Sequence, residues 1–385
     1  MITRRSLLGG LAAAAVCVPL VATATNAQPR RKPRPGRPRA PFALTVKNSS
    51  GVAGDAWMYV VGTNLGSGAQ CHLTADGQLV PVAESDNGQD GYTDYSIQLG
   101  GDGTTVQLPE GISGRIFVAI GEKLKFKVNP GNALAYPAGW VESDPNYPIL
   151  HDCAEFTNDA AGMHCNVTMV DMLSIPMQID LTGAQQQTTG RLVDGGRAAI
   201  FSALSGQAGF GDLVMDDLRV IAPGHGLDAG RFATDYFAGH IDEVWEHYRS
   251  NTVTIKAGDK TFTGQVQGEA FVFDNGAKAV NKPTTRDALF CDGALQAPND
   301  GINGPIAAAL GAGFNRTVLT TSGEQPVADA AAYYQGDVTN HYSRIMHEHT
   351  VDGKAYGFAF DDVCEHASYI EDPAPTAMTL TMTPF

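Results

Sequence analysis

From Ala43 to about Ile179 the apolar residues recur mostly with a period of two, and that period constrains the chain more than any other feature. A period of two belongs to strands, in which successive side chains point to opposite faces. Trp57-Met58-Tyr59-Val60-Val61 reads as a buried strand, and Cys71–Thr74 and Gln78–Val80 flank Asp76-Gly77, a strong hairpin-turn pair. In Lys123-Leu124-Lys125-Phe126-Lys127-Val128 the lysines alternate toward water while Leu124, Phe126 and Val128 turn inward. Short strands separated by Gly, Pro, Asn and Asp predict a β-sandwich or barrel.

The period then changes. Over 231–250, Phe232, Tyr236, Phe237, Ile241, Val244, Trp245 and Tyr248 fall on one helical stripe, which reads as core packing. Ile306–Leu310 and 329–349 also read as helical, while Thr252–Ile255, Thr261–Val266 and Ala270–Phe273 read as strands. Tyr356–Phe360 and Met378–Met382 return to strands. The expected fold class is mainly β with α/β. A β-domain formed by 42–195 plus 346–385 carries an inserted mixed α/β domain, 196–345, with a wide ligand-holding groove between them.

Residues 1–27 have a basic start with Arg4-Arg5, a short apolar stretch and a small-residue exit. This is the pattern of a cleavable export signal of the twin-arginine kind, too short to remain as a membrane span. Residues 28–41 are a Pro/Arg-rich spacer. The first 41 residues hold eight bases and no acid, leaving 18 bases against 41 acids in the rest, a balance of −23. Such a surface repels phosphate backbones and makes nucleic acid a poor partner, whereas a neutral polysaccharide is acceptable. The expectation is a secreted monomer with no membrane partner after signal cleavage. Cys17 belongs to the signal; of the other five cysteines, Cys153 with Cys165 and Cys291 with Cys364 are the expected disulfides.

Ala154-Glu155-Phe156-Thr157 and Asn166-Val167-Thr168-Met169-Val170-Asp171 form a candidate hairpin joined by 158–163. If its register pairs odd residues with odd, Glu155 sits opposite Met169, and Asp171 is a diagonal neighbour about 7–8 Å away. That separation suits two carboxyls that cleave a glycosidic bond with inversion, which stand roughly 6.5–9.5 Å apart. Asp171 shares its face with Val167 and Met169, so burial is expected to raise its pKa. In a chain with 41 acids both residues could equally be ordinary strand-end carboxylates.

An ordered set of motifs adds to this reading. It comprises Gly114-Arg115-Ile116-Phe117, Asp144-Pro145-Asn146, Glu155-Phe156-Thr157, Asn166–Asp171 and Tyr236-Phe237 with Ile241–Trp245. Lys282-Pro283, Asn340–Ile345, Asp352–Tyr356 and Phe360-Asp361-Asp362-Val363 complete it. Together these resemble glycoside hydrolase family 64, the laminaripentaose-producing β-1,3-glucanases of thaumatin-like fold. The resemblance implies a secreted enzyme that cleaves β-1,3-glucan of laminarin or curdlan type with inversion and releases laminaripentaose, without a cofactor. Position by position it places the catalytic acid on Glu155 and the base on Asp171. Thr157, Asn166, Thr168, Asp361 and Asp362 fall among substrate-binding positions. The alternative is a non-catalytic thaumatin-like protein that binds glucan, as an antifungal protein would.

His347-Glu348-His349 is not read as a metal site, because histidines two apart on a helix point in different directions. Gly224-His225-Gly226 reads as a turn, and no serine nucleophile elbow or phosphate-cradling glycine loop is evident.

Overall fold

The computed structural model describes residues 42–298 and 300–385. The expected export signal, the spacer and Cys17 lie outside the described residues. The chain is mostly β, with few helices. One sheet has five strands in the order Gln186–Thr189, Met177–Thr182, Ala377–Met382, Phe42–Asn48 and Thr104–Leu108. Its first and last strands in the chain are parallel neighbours, with Ala43 opposite Ala377. A second sheet runs Tyr369–Asp372, Gly162–Val167, Leu150–Asp159, Ile112–Ile120, Ala56–Asn64, Gln70–Leu73 and Leu79–Pro81. Ile97–Gln98 adds beside Ala56–Asn64.

The period of two explains how these sheets pack. Leu44, Val46, Ile179, Leu181, Met378 and Leu380 of the first share one buried core with Met58, Val60, Ile116, Val118, Ala154 and Phe156 of the second. The strand Ala56–Asn64 is apolar on both faces because its other face also packs. Trp57, Tyr59 and Val61 join Phe117, Leu124, Phe126 and Ile149 in a second cluster on the outer side of the eight-stranded sheet. Leu124, Phe126 and Val128 are buried as the alternation predicts, yet only Lys127–Asn129 is a strand. Side chains stand in for a partner strand in the rest: Tyr59 Oη accepts from Leu124 N at 2.8 Å, and Asn146 Oδ1 from Lys125 N at 2.7 Å.

Residues beyond 196 add helices and a smaller five-stranded sheet that includes Val253–Ala257, Lys260–Gln267 and Ala270–Phe273. The helix Ala238–Ser250 buries Ile241, Val244, Trp245 and Tyr248. It begins seven residues later than the stripe suggested, and Phe232 and Phe237 are buried from the turns before it. Within 329–349 the α-helix is confined to His341–Glu348, started by Asn340, whose Oδ1 accepts from Ser343 N. Ala377–Met382 is a strand as expected, but Tyr356–Phe360 lies in loop and turn, where the carboxylate of Asp361 takes the Gly357 N–H at 3.0 Å.

The expected disulfides are absent: among the described residues all five cysteines are free. Cys153 pairs in register with Phe117 and faces the outer cluster, whereas Cys165 pairs with Phe156 and faces the inter-sheet core. Opposite faces of one sheet cannot be bridged. The Cys291 thiol is directed at the Ala288 carbonyl and the Asn315 amide, and Cys364 at the Tyr333 hydroxyl.

Candidate active site

The hairpin of Leu150–Asp159 and Gly162–Val167 forms, but its register differs from the expected one. Glu155 stands opposite Asn166, not Met169. Asp159 Oδ1 accepts from the N–H groups of Ala161 and Gly162, closing a tight turn that pairs odd residues with even ones. The strand stops at Val167, so Asp171 lies beyond it. Met169 N donates to Tyr356 O, Tyr342 Oη donates to Met169 O, and Asp171 O accepts from Ala222 N at 2.9 Å. These bonds turn the chain back over the sheet instead of along it.

Residues opposite each other on antiparallel strands share a face. The registers therefore line up Val61, Arg115, Glu155, Asn166 and Tyr369 across five strands, with Thr63, Ser113, Thr157, His164 and Glu371 in the adjacent row. This polar strip lies on the same outer face as the aromatic cluster of Trp57 and Phe117. Glu155 and Asp171 meet there at a single guanidinium. Arg115 holds Glu155 Oε1 through Nε at 3.1 Å and Nη2 at 2.9 Å, and Asp171 Oδ2 through Nη1 at 2.9 Å. The planar fork of the arginine takes one acceptor on its Nε–Nη2 side and the other on Nη1, so the two carboxyls stand at opposite sides of one guanidinium. The two carboxyls are thus brought together through Arg115 and not by the expected register.

Asp171 is held from both sides, with His225 Nε2 at 2.8 Å from its Oδ1. Burial pushes its pKa up, as the sequence suggests, but the Arg115 charge and the His225 hydrogen bond outweigh burial. The carboxyl is held well below the usual carboxylate range, opposite to the expected direction. His225 sits in the short helix Pro223–Asp228, which starts at Ala222, the residue bonded to the Asp171 carbonyl, and has proline at its first position. Its ring stacks on Trp140 with centroids 4.1 Å apart and meets the Phe290 ring edge-on at 5.2 Å. Arg115, Trp140, Cys153, Thr168 and Asp171 line a small cavity at this point.

Of the other candidate residues, Asn166 is buried directly across from Glu155. Its Nδ2 donates to Glu155 Oε2 at 3.3 Å, while its Oδ1 is buried with no hydrogen-bond partner among the described residues. Thr157 is half-buried and shares a 2.7 Å hydroxyl contact with Ser113. Thr168 borders Arg115 and Asp171. Asp361 is fully buried; Oδ1 pairs with Arg316 at 3.1 Å, and Oδ2 accepts from Ser343 Oγ at 2.9 Å and meets His347 Nε2 at 3.0 Å. Against the upward push of burial, His347 and Arg316 hold its pKa low. Asp362 differs: burial, then its neighbour Asp361, pushes its carboxyl up to about 7.

Two residues of this site carried no role in the sequence reading. Arg115 belongs to a quoted motif, but only the register shows that it stands opposite Glu155. His225 was read as part of a turn. Ala222-Pro223 does mark a helix start, but nothing local says that the helix faces an acid 54 positions earlier. Among the described residues no group of three or more His, Cys, Asp or Glu side chains is placed to hold a metal ion. His347 and His349 point to different partners, the carboxylate of Asp361 and the Ile345 carbonyl.

A family model described as β-1,3-glucanase, glycoside hydrolase family 64, matches residues 40–382. Glucan endo-1,3-β-glucosidases of Cellulosimicrobium cellulans and of Arthrobacter sp. strain YCWD3 are each 34% identical over 368 residues, 90% of this chain. The chain spans 66% of the length of each of them. A laminaripentaose-producing β-1,3-glucanase in complex with laminaritetraose superposes with a TM-score of 0.83 at 36% identity, over 90% of this chain and 99% of the other. A β-1,3-glucanase domain of the same family from Clostridium beijerinckii gives a TM-score of 0.79 at 26% identity, over 91% and 100%.

Proposed function

The chain belongs to glycoside hydrolase family 64, the β-1,3-glucanases, and from that premise we propose that it hydrolyses β-1,3-glucan with inversion at the Glu155–Asp171 pair. The observation that carries the reading is the bridge itself: two carboxyls from different parts of the chain held on opposite sides of one arginine. Glu155 gives its proton to the glycosidic oxygen as the C1–O bond breaks. Asp171, ionised and held on two sides, takes a proton from the water that attacks C1 from the opposite face. Atoms balance as one water consumed, one new hydroxyl at C1 and one on the leaving sugar.

Arg115 sets the spacing, and His225, packed against Trp140, fixes the plane of the Asp171 carboxylate. Thr157, Asn166, Thr168 and Asp362 line the glucan path over the polar strip, with Asp361 buried behind them as the anchor of the Asp362 segment. The finer reading is a thaumatin-like sandwich with a glucan groove over its outer face. The product is short laminari-oligosaccharides, laminaripentaose first among them, from a secreted monomer. The pattern of residues 1–27 and the acidic balance of the rest support that setting.

Reducing-sugar release from laminarin or curdlan tests the proposal. Wild type is expected to be active, and Glu155→Gln and Asp171→Asn each to lose about 10²–10⁴-fold, the usual share of general acid–base catalysis. Unchanged rates in both variants would remove the assignment.

A further inference from the structure

The helix His341–Glu348 separates two regions of different character. Tyr342, Ile345 and Met346 face the core, and the Tyr342 hydroxyl reaches Met169 O, two residues from Asp171. His341, Arg344, His347 and Glu348 face the other way, onto an open cavity of about 500 Å³ closed by Tyr333, Tyr334 and His366. That volume is within the ~300–1,000 Å³ common for small-ligand sites. The polar strip of Glu155 shares none of these residues.

The walls show what such a cavity would accept. Among the described residues its charges are already paired: Arg344 Nη1 with Glu348 at 2.7 Å, and the lining His347, like the Arg316 behind it, with the buried Asp361. Burial, then the charge of His347, pushes His366 down to about 4, and burial also lowers His341. Near neutral pH no unpaired charge faces the cavity, which disfavours an ionic ligand. What remains is ring edges and planar polar groups, Gln335, Arg344 and Glu348, able to donate and accept at the rim. His366 is held rigidly between the face of His347, 3.9 Å away, and the edge of Tyr333 at 5.1 Å. Among the described residues no hydrogen bond reaches either of its ring nitrogens, although the ring is only half-buried. The partly exposed His366 ring beside a paired, net-neutral set of planar donors and acceptors, Arg344 and Glu348, is chemistry that can hydrogen-bond the hydroxyls of a sugar.

We propose that this cavity is a second carbohydrate site, separate from the cleavage site, that holds a short stretch of neutral glucan while the enzyme works elsewhere on the polymer. The choice of β-1,3-glucan as its ligand rests on the proposed function; the neutral sugar chemistry does not. Such a site matters for an insoluble substrate, where two weak contacts on one chain act together, and not for a short soluble one.

The test uses the full chain and two variants outside the catalytic machinery. His366→Ala removes the free imidazole, and Ala330→Trp fills the mouth of the cavity from an exposed position without removing a contact. Binding is read as depletion of protein from solution by insoluble curdlan, and turnover as kcat/KM on soluble laminarihexaose. Both variants are expected to bind curdlan about tenfold more weakly, the scale of one lost hydrogen bond or stack, with kcat/KM on laminarihexaose within twofold of wild type. Wild-type binding by both variants overturns the site, and so does an equal loss on the polymer and on laminarihexaose. A wild type inert on every β-1,3-glucan would instead sink the proposed function.

Discussion

His225 offers the sharpest perturbation of the proposed catalytic pair. Its Nε2 supplies one of the two contacts that lock Asp171, and the bond is to an ionised carboxylate. A hydrogen bond to a charged group contributes about 1.5–3 kcal/mol, and each ~1.4 kcal/mol is tenfold in rate. His225→Gln, which keeps a side-chain amide but not the Trp140 stack, should therefore lower kcat about 10–150-fold, with KM changed much less. The pH profile carries the more specific sign. Asp171 must be ionised to act as base, and its pKa is held low by Arg115 and His225 against burial. Removing His225 lets that pKa rise, so the acid limb of kcat/KM should move to higher pH. Arg115 remains beside Asp171, so the shift is partial. The assay is initial rates on laminarin across the acid range. An acid limb in the wild-type position, or a raised KM at unchanged kcat, would refute a positioning role.

The remaining predictions concern the fold around the site. Asp361→Asn leaves Arg316, which is 1% exposed, without its carboxylate; breaking a buried pair in this way costs about 3–5 kcal/mol. The urea midpoint should fall accordingly, and an unchanged midpoint would contradict the buried-pair account. Asp171 and Asp361 both have depressed pKa values, so their stabilisation is present above the unfolded carboxylate pKa and is lost as pH falls toward the folded one. Urea titrations should show stability dropping steadily below about pH 4, and a flat profile in that window would contradict the paired state of both groups.

The sheets were legible in the sequence where burial decided the pattern. Trp57–Val61, the strands flanking Asp76-Gly77, and the strands around 253–273 lie where a period of two put them. Elements failed where a tertiary partner replaced the ladder: Leu124 and Lys125 bond to side chains, and Gly357 bonds to Asp361. The helix stripe over 231–250 marked helix only from Ala238 onward, because Phe232 and Phe237 are buried from the turns before it. For the site, the sequence could name two acids but not what joins them. The tight turn at Asp159–Gly162 sets the register, and the register brings Arg115 to Glu155. The bend after Val167 then carries Asp171 to the same guanidinium and to His225. Each contact spans 40 residues or more, beyond the reach of any local pattern.

The stereochemistry of the first product is the most direct measurement. With the two carboxyls on opposite sides of one guanidinium, the proposed mechanism puts a water between Asp171 and the sugar, so hydrolysis should invert. Proton NMR during the first turnovers on laminarihexaose should show the α-anomer of the new reducing end appearing before mutarotation. Initial release of the β-anomer would mean a covalent intermediate and closer carboxyls, and would contradict the account.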